Sequence, residues 1–483
     1  MKRRQSWVGM VLLLIASLLL AACGATAESP GGTGDAAAST AGATGDTAAS
    51  DVPPPGSAAP AAPATGENAV TIRYALWDAN QLPAYQECAA AFSKKNPNIA
   101  VEIQQLGWDD YWSNIQTGMV GGTAPDVFTN HLAKYPEFAN KEQLVDIQPL
   151  LERDGVDTEQ YIGDLAELWS REGKRYGLPK DWDTVSLAYN KDMLDKAGAD
   201  VASLQDLTWN PQDGGTFQQL IAQLTIDANG KNGLDPAFDK NNVVQYGFIP
   251  QGSGAPFGQE QWSWLAASTG FNYIDQPWGT NLHFEDPRIA QAIQWYADLH
   301  LKHGFAPPYA DYETLGGDAI FQAGKGALTT AGSWKIGDHT SKAQFPVGFA
   351  PLPAGPEGRK SMFNGLADSI TIGSQHQNEA WEWVKFLASP ECKEIVGTHG
   401  VVFPAIQSGV DKALAAYKEK GVDVSSFTEI ALDPEATFLF PISDNASQIS
   451  AILDPTLDSI MLGDAQAADA LQQADQEIDA LFQ

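Results

Sequence analysis

Cysteine is almost absent from this chain, with three in 483 residues, Cys23, Cys88 and Cys392. None falls in a C-x-x-C pair or a metal-ligand spacing, so no metal site is written into the sequence by thiols. Basic residues are scarce too, 29 Lys and Arg against 60 Asp and Glu, for a net charge of −31. That balance argues against nucleic acid and anionic membrane faces as partners and reads as a solvated acidic surface. Only seven His occur; His300 and His303 share a helix but lack a third ligand, and read as surface or packing residues. There is no G-x-S-x-G elbow, no H-E-x-x-H and no G-x-x-x-x-G-K-[ST] loop. No cofactor and no catalytic residue is expected. A secreted glycoside hydrolase needs only two carboxylates at a set separation, and a chain this acidic keeps that class open as an alternative.

Long apolar runs are missing as well, with one exception. Lys2, Arg3 and Arg4 precede an apolar stretch from Val8 to Leu20 that ends in Leu20-Ala21-Ala22-Cys23. A positive start, an apolar segment too short to span a bilayer comfortably and small residues before the cut make a secretory signal over 1–22. The four-residue box makes Cys23 the expected lipidated first residue of the mature chain, held at the outer face of the cell membrane. Residues 24–68 are nearly all Ala, Gly, Thr, Ser, Pro and Asp, without an aromatic ring. They bury too little to offset the cost of ordering, so 23–68 is expected to be a disordered tether, with a reach of roughly 35–40 Å.

The body of the chain, after residue 68, is different in kind. The sequence holds 14 Trp, 13 Tyr and 20 Phe, and this body exceeds the size at which one core stops growing, so two lobes are expected. Val70, Ile72, Tyr74 and Leu76 alternate as a strand, a helix runs to about Lys95, and Asn96-Pro97-Asn98 turns into a second strand around Val101 and Ile103. Helices are predicted at 107–121, 290–303, 379–388 and 465–481. This alternation predicts an α/β fold with helices on both faces of its sheets and ligand at the carboxyl ends of strands. Cys88 shares a helical face with Tyr85, Ala89 and Phe92, so it and Cys392 are read as core thiols, while an oxidising compartment leaves a disulfide open.

Ordered fragments then carry a family resemblance. Gly121-Gly122-Thr123-Ala124-Pro125-Asp126-Val127-Phe128, Gly177-Leu178-Pro179, and Asp183 to Asp192 ("DTVSLAYNKD") are followed by Phe321 to Ala327, Gly332-Ser333-Trp334, Ala350-Pro351-Leu352-Pro353 and the helix Ala380 to Pro390. Together they resemble the extracellular solute-binding proteins that feed ABC-type sugar importers, across nearly all of residues 70–480. The resemblance implies a two-lobed periplasmic-binding-protein-like fold with three interlobe crossings, near 181–187, 361–369 and 408–424. Lobe one would hold 69–184 and 369–421, and lobe two 185–368 and 422–483. It also implies a monomer that binds carbohydrate in the cleft, closes on it and delivers it to permease subunits. A receptor for a non-sugar solute, or one that signals rather than transports, shares these features.

Sugars offer apolar ring faces and a rim of hydroxyls, so they need aromatic platforms beside carboxylates and amides. Trp77, Trp262, Trp264 and Trp334 are the expected platforms, with Trp108 beside Asp109 and Asp110 also noted. From the family pattern, Asp126 is expected to close a strand at the cleft, with Asp183 at the first crossing and Asn364, Gly365 and Asp368 at the second. Trp112 and Trp295 read as packing, and so does one of Trp381 and Trp383, whose helix shares an apolar face with Val384 and Leu387. Asp227 to Asp235 resembles a calcium loop but fails at Lys231, Asn232 and Phe238, and is read as a turn. No metal site is expected.

Overall fold

The computed structural model describes residues 57–58, 63–66, 69–252 and 255–483; the expected leader, Cys23 and most of the expected tether lie outside the described residues. Two stretches within 23–68 are ordered, contrary to expectation. Strand β1 (Ser57–Ala58) pairs antiparallel with β3 (Ile99–Gln105), and the backbone N–H of Thr65 donates to the Pro97 carbonyl over 2.8 Å. The edge of β3 presents unpaired backbone groups, and a chain without large side chains can still satisfy them.

The opening βαβ unit forms as its alternation predicts. Strand β2 (Val70–Leu76) buries Ile72, Tyr74 and Leu76, and the helix Leu82–Lys95 begins with a proline in its first turn. Parallel pairing joins β2 to β3 and to β4 (Val127–His131), whose five residues are all buried. A small hairpin, β5 (Ser170–Arg171) and β6 (Lys174–Arg175), precedes β7 (Leu178–Asp183). Then the chain leaves this sheet within two residues, because β8 (Val185–Asn190) belongs to another. Asn190 ends that strand and caps the next helix, its side chain accepting from Met193 N over 3.2 Å.

The second sheet has the order β12-β8-β11-β10-β9, built with β9 (Ile226–Asp227), β10 (Val243–Ile249), β11 (Gly326–Gly332) and β12 (Val347–Ala350). After β12 the chain returns to the large sheet as β13 (Ser361–Ile370), antiparallel between β4 and β7, followed by β14 (Phe403–Pro404) and β15 (Thr437–Leu439). The whole of β13 pairs in the large sheet, so the expected boundary at 368 falls inside a strand and the passage lies before Ser361. The C-terminal helices Ala446–Leu462 and Ala467–Asp479 pack on Pro287–Leu301 of the second lobe. Two lobes result, each with one sheet faced by helices.

Cys88 and Cys392 form a disulfide, Cα atoms 5.3 Å apart, which corrects the reading of free core thiols. It joins the helix Leu82–Lys95 to the helix Pro390–His399, both in the first lobe. Both cysteines are fully buried, so the helical pattern correctly placed Cys88 in the core and said nothing of its partner.

Candidate functional site

The carboxyl ends of β2 and β4 carry an aromatic cluster. Trp77 follows β2, and its ring meets Trp108 at 5.1 Å and 90°, Tyr111 at 5.2 Å and Trp112 at 5.7 Å. Trp108 opens the helix Trp108–Gly121 behind Gly107 and is 43% exposed, while Trp112 below it is buried. His131, the last residue of β4, lies 5.5 Å from the Trp108 ring and 5.1 Å from Phe440. The cluster therefore has a buried base and one ring presented to solvent.

Trp334 stands in the second lobe, in the turn Ser333–Lys335 after β11, half-buried. Gly332 makes room for it: a Cβ there would sit 2.1 Å from the indole ring. The next residue, Lys335, pairs with Glu260 at 2.7 Å and Asp318 at 2.9 Å, and Gly332 N–H donates to Glu260 Oε1 over 2.7 Å. The lobes meet close by, where Asn80 Nδ2 donates to Asp338 Oδ1 over 3.1 Å. Trp77 and Trp334 thus flank, in sequence, the two segments that this contact brings together.

At the hinge, Asp183 Oδ1 accepts from Gln259 Nε2 of the second lobe over 2.7 Å. Asp183 Oδ2 lies 3.0 Å from Asn364 Nδ2, which lies 3.0 Å from His131 Nε2. All four side chains are buried. Burial pushes the Asp183 carboxyl well above the usual range, and the neighbouring Asp181 charge adds to it. Burial holds His131 down to about 3.

Other expected site residues lie elsewhere. Asp126 does not close a strand; it precedes β4, at the end away from His131, and its carboxylate accepts from Arg73 N at 2.8 Å and Ser374 Oγ at 2.6 Å. Trp262 and Trp264 are 2% and 1% exposed, because the short helix Ser263–Ala267 is buried along its whole length; Trp264 packs on Phe217. Gly365 serves packing, since a Cβ would meet Leu165 Cδ2 at 2.7 Å. Asp368 sits four residues deeper along β13 than Asn364, where the Tyr74 hydroxyl donates to it over 2.8 Å. Burial raises its carboxyl, opposed by Lys180 and Lys393. Lys180 pairs with Asp181 at 3.0 Å, and Lys393, which burial lowers to about 8, donates to the Lys180 carbonyl over 2.8 Å. These charges belong to the interior of the first lobe.

Two further features stand apart from the cluster. The Asp227 carboxylate accepts from the backbone N–H of Asn229, Lys231 and Asp239 at 2.8–2.9 Å, which organises its loop as a turn. A cavity of about 810 Å³ lies beside β15, lined by Leu165, Phe271, Ile274, Phe363, Phe438 and neighbours. No expected site residue lines it, so volume alone does not locate the site.

Sequence reasoning passed over His131, Gln259 and Asp338. His131 alone had a local signal, as the polar end of a buried strand.

Residues 78–394 match the family described as bacterial extracellular solute-binding protein. An arabinooligosaccharide-binding protein of Bacillus subtilis is 24% identical over 346 residues, 64% of this chain and 75% of that protein. Among solved structures, M. tuberculosis UspC is 27% identical with a TM-score of 0.67, covering 85% of this chain and all of that one. A Listeria monocytogenes ABC substrate-binding protein in complex with cycloalternan is 21% identical with a TM-score of 0.74, covering 86% and 99%.

Proposed function

The chain belongs to the bacterial extracellular solute-binding proteins, and from that premise we propose that it captures a carbohydrate and hands it to an ABC-type importer. The observation that carries this reading is the pair of indoles, Trp77 after its strand and the exposed Trp108 at the start of a helix, together with the Asn80–Asp338 contact that joins a residue three after Trp77 to one four after Trp334 of the other lobe. Aromatic faces suit the C–H faces of sugar rings, and the polar groups around them suit hydroxyls. The names of the Bacillus and Listeria relatives support the same ligand class. Trp77, Trp108 and Trp334 are the proposed ligand contacts, with Asp183 and Asn364 holding the hinge beneath them.

Closure follows from the connections. The two lobes turn about the short passage between Asp183 and Val185, the loop before Ser361 and the segment after Glu419. A ligand touching both lobes favours the closed form, which permease subunits can recognise. The sequence of residues 1–23 supports export, cleavage and lipid attachment at Cys23, which would keep the protein at the outer face of the membrane.

A thermal-shift screen against mono-, di- and oligosaccharides, polyols, amino acids and polyamines tests the proposal. Ligand that binds the native state raises the midpoint by mass action. A rise with a narrow group of sugars is expected; a rise only with another solute class would overturn the carbohydrate assignment and keep the fold.

A further inference from the structure

The polar contacts at the hinge accept hydrogens in one consistent arrangement. Ala133 N–H donates to His131 Nδ1 over 3.0 Å, so that nitrogen presents its lone pair. A neutral ring then carries its hydrogen on Nε2. Nε2–H faces the Asn364 amide at 3.0 Å and needs an acceptor there, which the amide oxygen supplies when the side chain is turned over. The two ends of an amide are alike in shape, so turning it leaves the packing unchanged. The same amide position is 3.0 Å from Asp183 Oδ2. Two oxygens would confront one another unless the carboxyl carries a hydrogen. The other carboxyl oxygen already accepts from Gln259, so Oδ2 is the atom that bears it. In the printed orientation the second amide atom of Asn364, Oδ1, has no hydrogen-bond partner among the described residues, so turning the amide breaks no bond there.

We propose that Asp183 is a neutral carboxylic acid at neutral pH, its O–H donating to the Asn364 amide oxygen, and that this shared proton holds the hinge together. The surroundings favour it. Asp181 faces it along its own strand and Glu260 from the second lobe, while Lys180 pairs with Asp181 and Lys335 with Glu260 and Asp318. Around His131 stand Trp77, Trp108 and Phe440, with Lys134 the nearby charge. Among the described residues these cations are directed at other acids, and the buried site of Asp183 disfavours the anion.

Loss of the proton turns O–H···O=C into O⁻···O=C. Asn364 must then turn back, and its N–H₂ confronts His131 Nε2–H. Asp183 is therefore a positioning residue whose ionisation at alkaline pH weakens the junction between Asp183, Gln259, Asn364 and His131. Where the cleft binds ligand as proposed, affinity declines as pH rises through this ionisation, and that consequence rests on the carbohydrate-capture reading. The proton itself does not depend on what the ligand is.

Infrared difference spectra of the full protein, wild type minus Asp183→Asn, give the direct test. The Asn amide can donate to Asn364 and accept from Gln259 as the acid does, so the variant keeps the junction. At neutral pH the expected result is the carbonyl stretch of a protonated carboxylic acid, lost on alkaline titration together with a fall in wild-type stability relative to the variant. A difference spectrum showing only carboxylate at neutral pH overturns the proposal, whatever the screen for ligands finds. Should Asp183→Asn not fold, the assigned carboxyl ¹³C resonance of Asp183 in the wild type decides: titration far above the ordinary carboxylate range supports the proposal, and titration within it overturns it.

Discussion

The indole of Trp108 stands edge-on to that of Trp77, ring centres 5.1 Å apart at 90°, and nearly half of it is open to solvent. An exposed ring so placed contributes little to folding, and under the proposed function it is free to stack on a sugar. Trp108→Ala is expected to leave the thermal midpoint of the free protein nearly unchanged and to weaken sugar binding by about 1–3 kcal/mol, measured by calorimetry. Trp334→Ala should behave alike. Trp264→Ala should do the reverse, costing about 3–5 kcal/mol of stability as a buried ring is removed.

The disulfide between Cys88 and Cys392 spans 304 residues. Replacing both cysteines with Ala is expected to lower stability by about 2–5 kcal/mol, read from denaturant unfolding. A midpoint equal to that of the wild type would show that the bridge does not constrain the unfolded chain.

His339 is buried against Phe321, and burial lowers it from 6.5 to about 4, with the Lys335 and Lys342 charges acting in the same direction and Asp318 against them. Below its ordinary value the unfolded chain takes up a proton there that the folded chain refuses until about 4. Stability from this group is thus complete above 6.5 and declines as the pH falls towards 4, by up to ~1.4 kcal/mol per pH unit. Relative to His339→Gln, wild type should lose on the order of 3 kcal/mol across that window, a difference that parallel denaturant titrations would show.

Much of this architecture is legible in the chain and some is not, for reasons that particular residues make plain. Alternation at Ile72, Tyr74 and Leu76 fixes β2, and the run through Asp183 to Asn190 marks the passage between sheets, because both are local patterns. Asp368 misleads because Asn364 and Asp368 point to the same side of β13. At about 3.3 Å per residue, four residues carry the chain roughly 13 Å from the hinge into the lobe interior. Trp262 and Trp264 mislead because composition cannot tell a platform from a core ring; only the burial of the short helix Ser263–Ala267 decides. Gln259, Asp338 and Cys392 meet partners 76, 258 and 304 residues away, beyond any periodicity.

Under the proposed export, amino end first, the Cys88–Cys392 bridge also sets an order of events for the chain. Its first lobe is finished only by a segment that emerges after the second lobe's strands have passed. Cys88 must wait through that interval as a free thiol, with the helix that will cover it still unmade. The lobe that carries the aromatic cluster is therefore sealed by its bridge only after all five strands of the second lobe have been made, and the helices Ala446–Leu462 and Ala467–Asp479 that complete the second lobe follow later still.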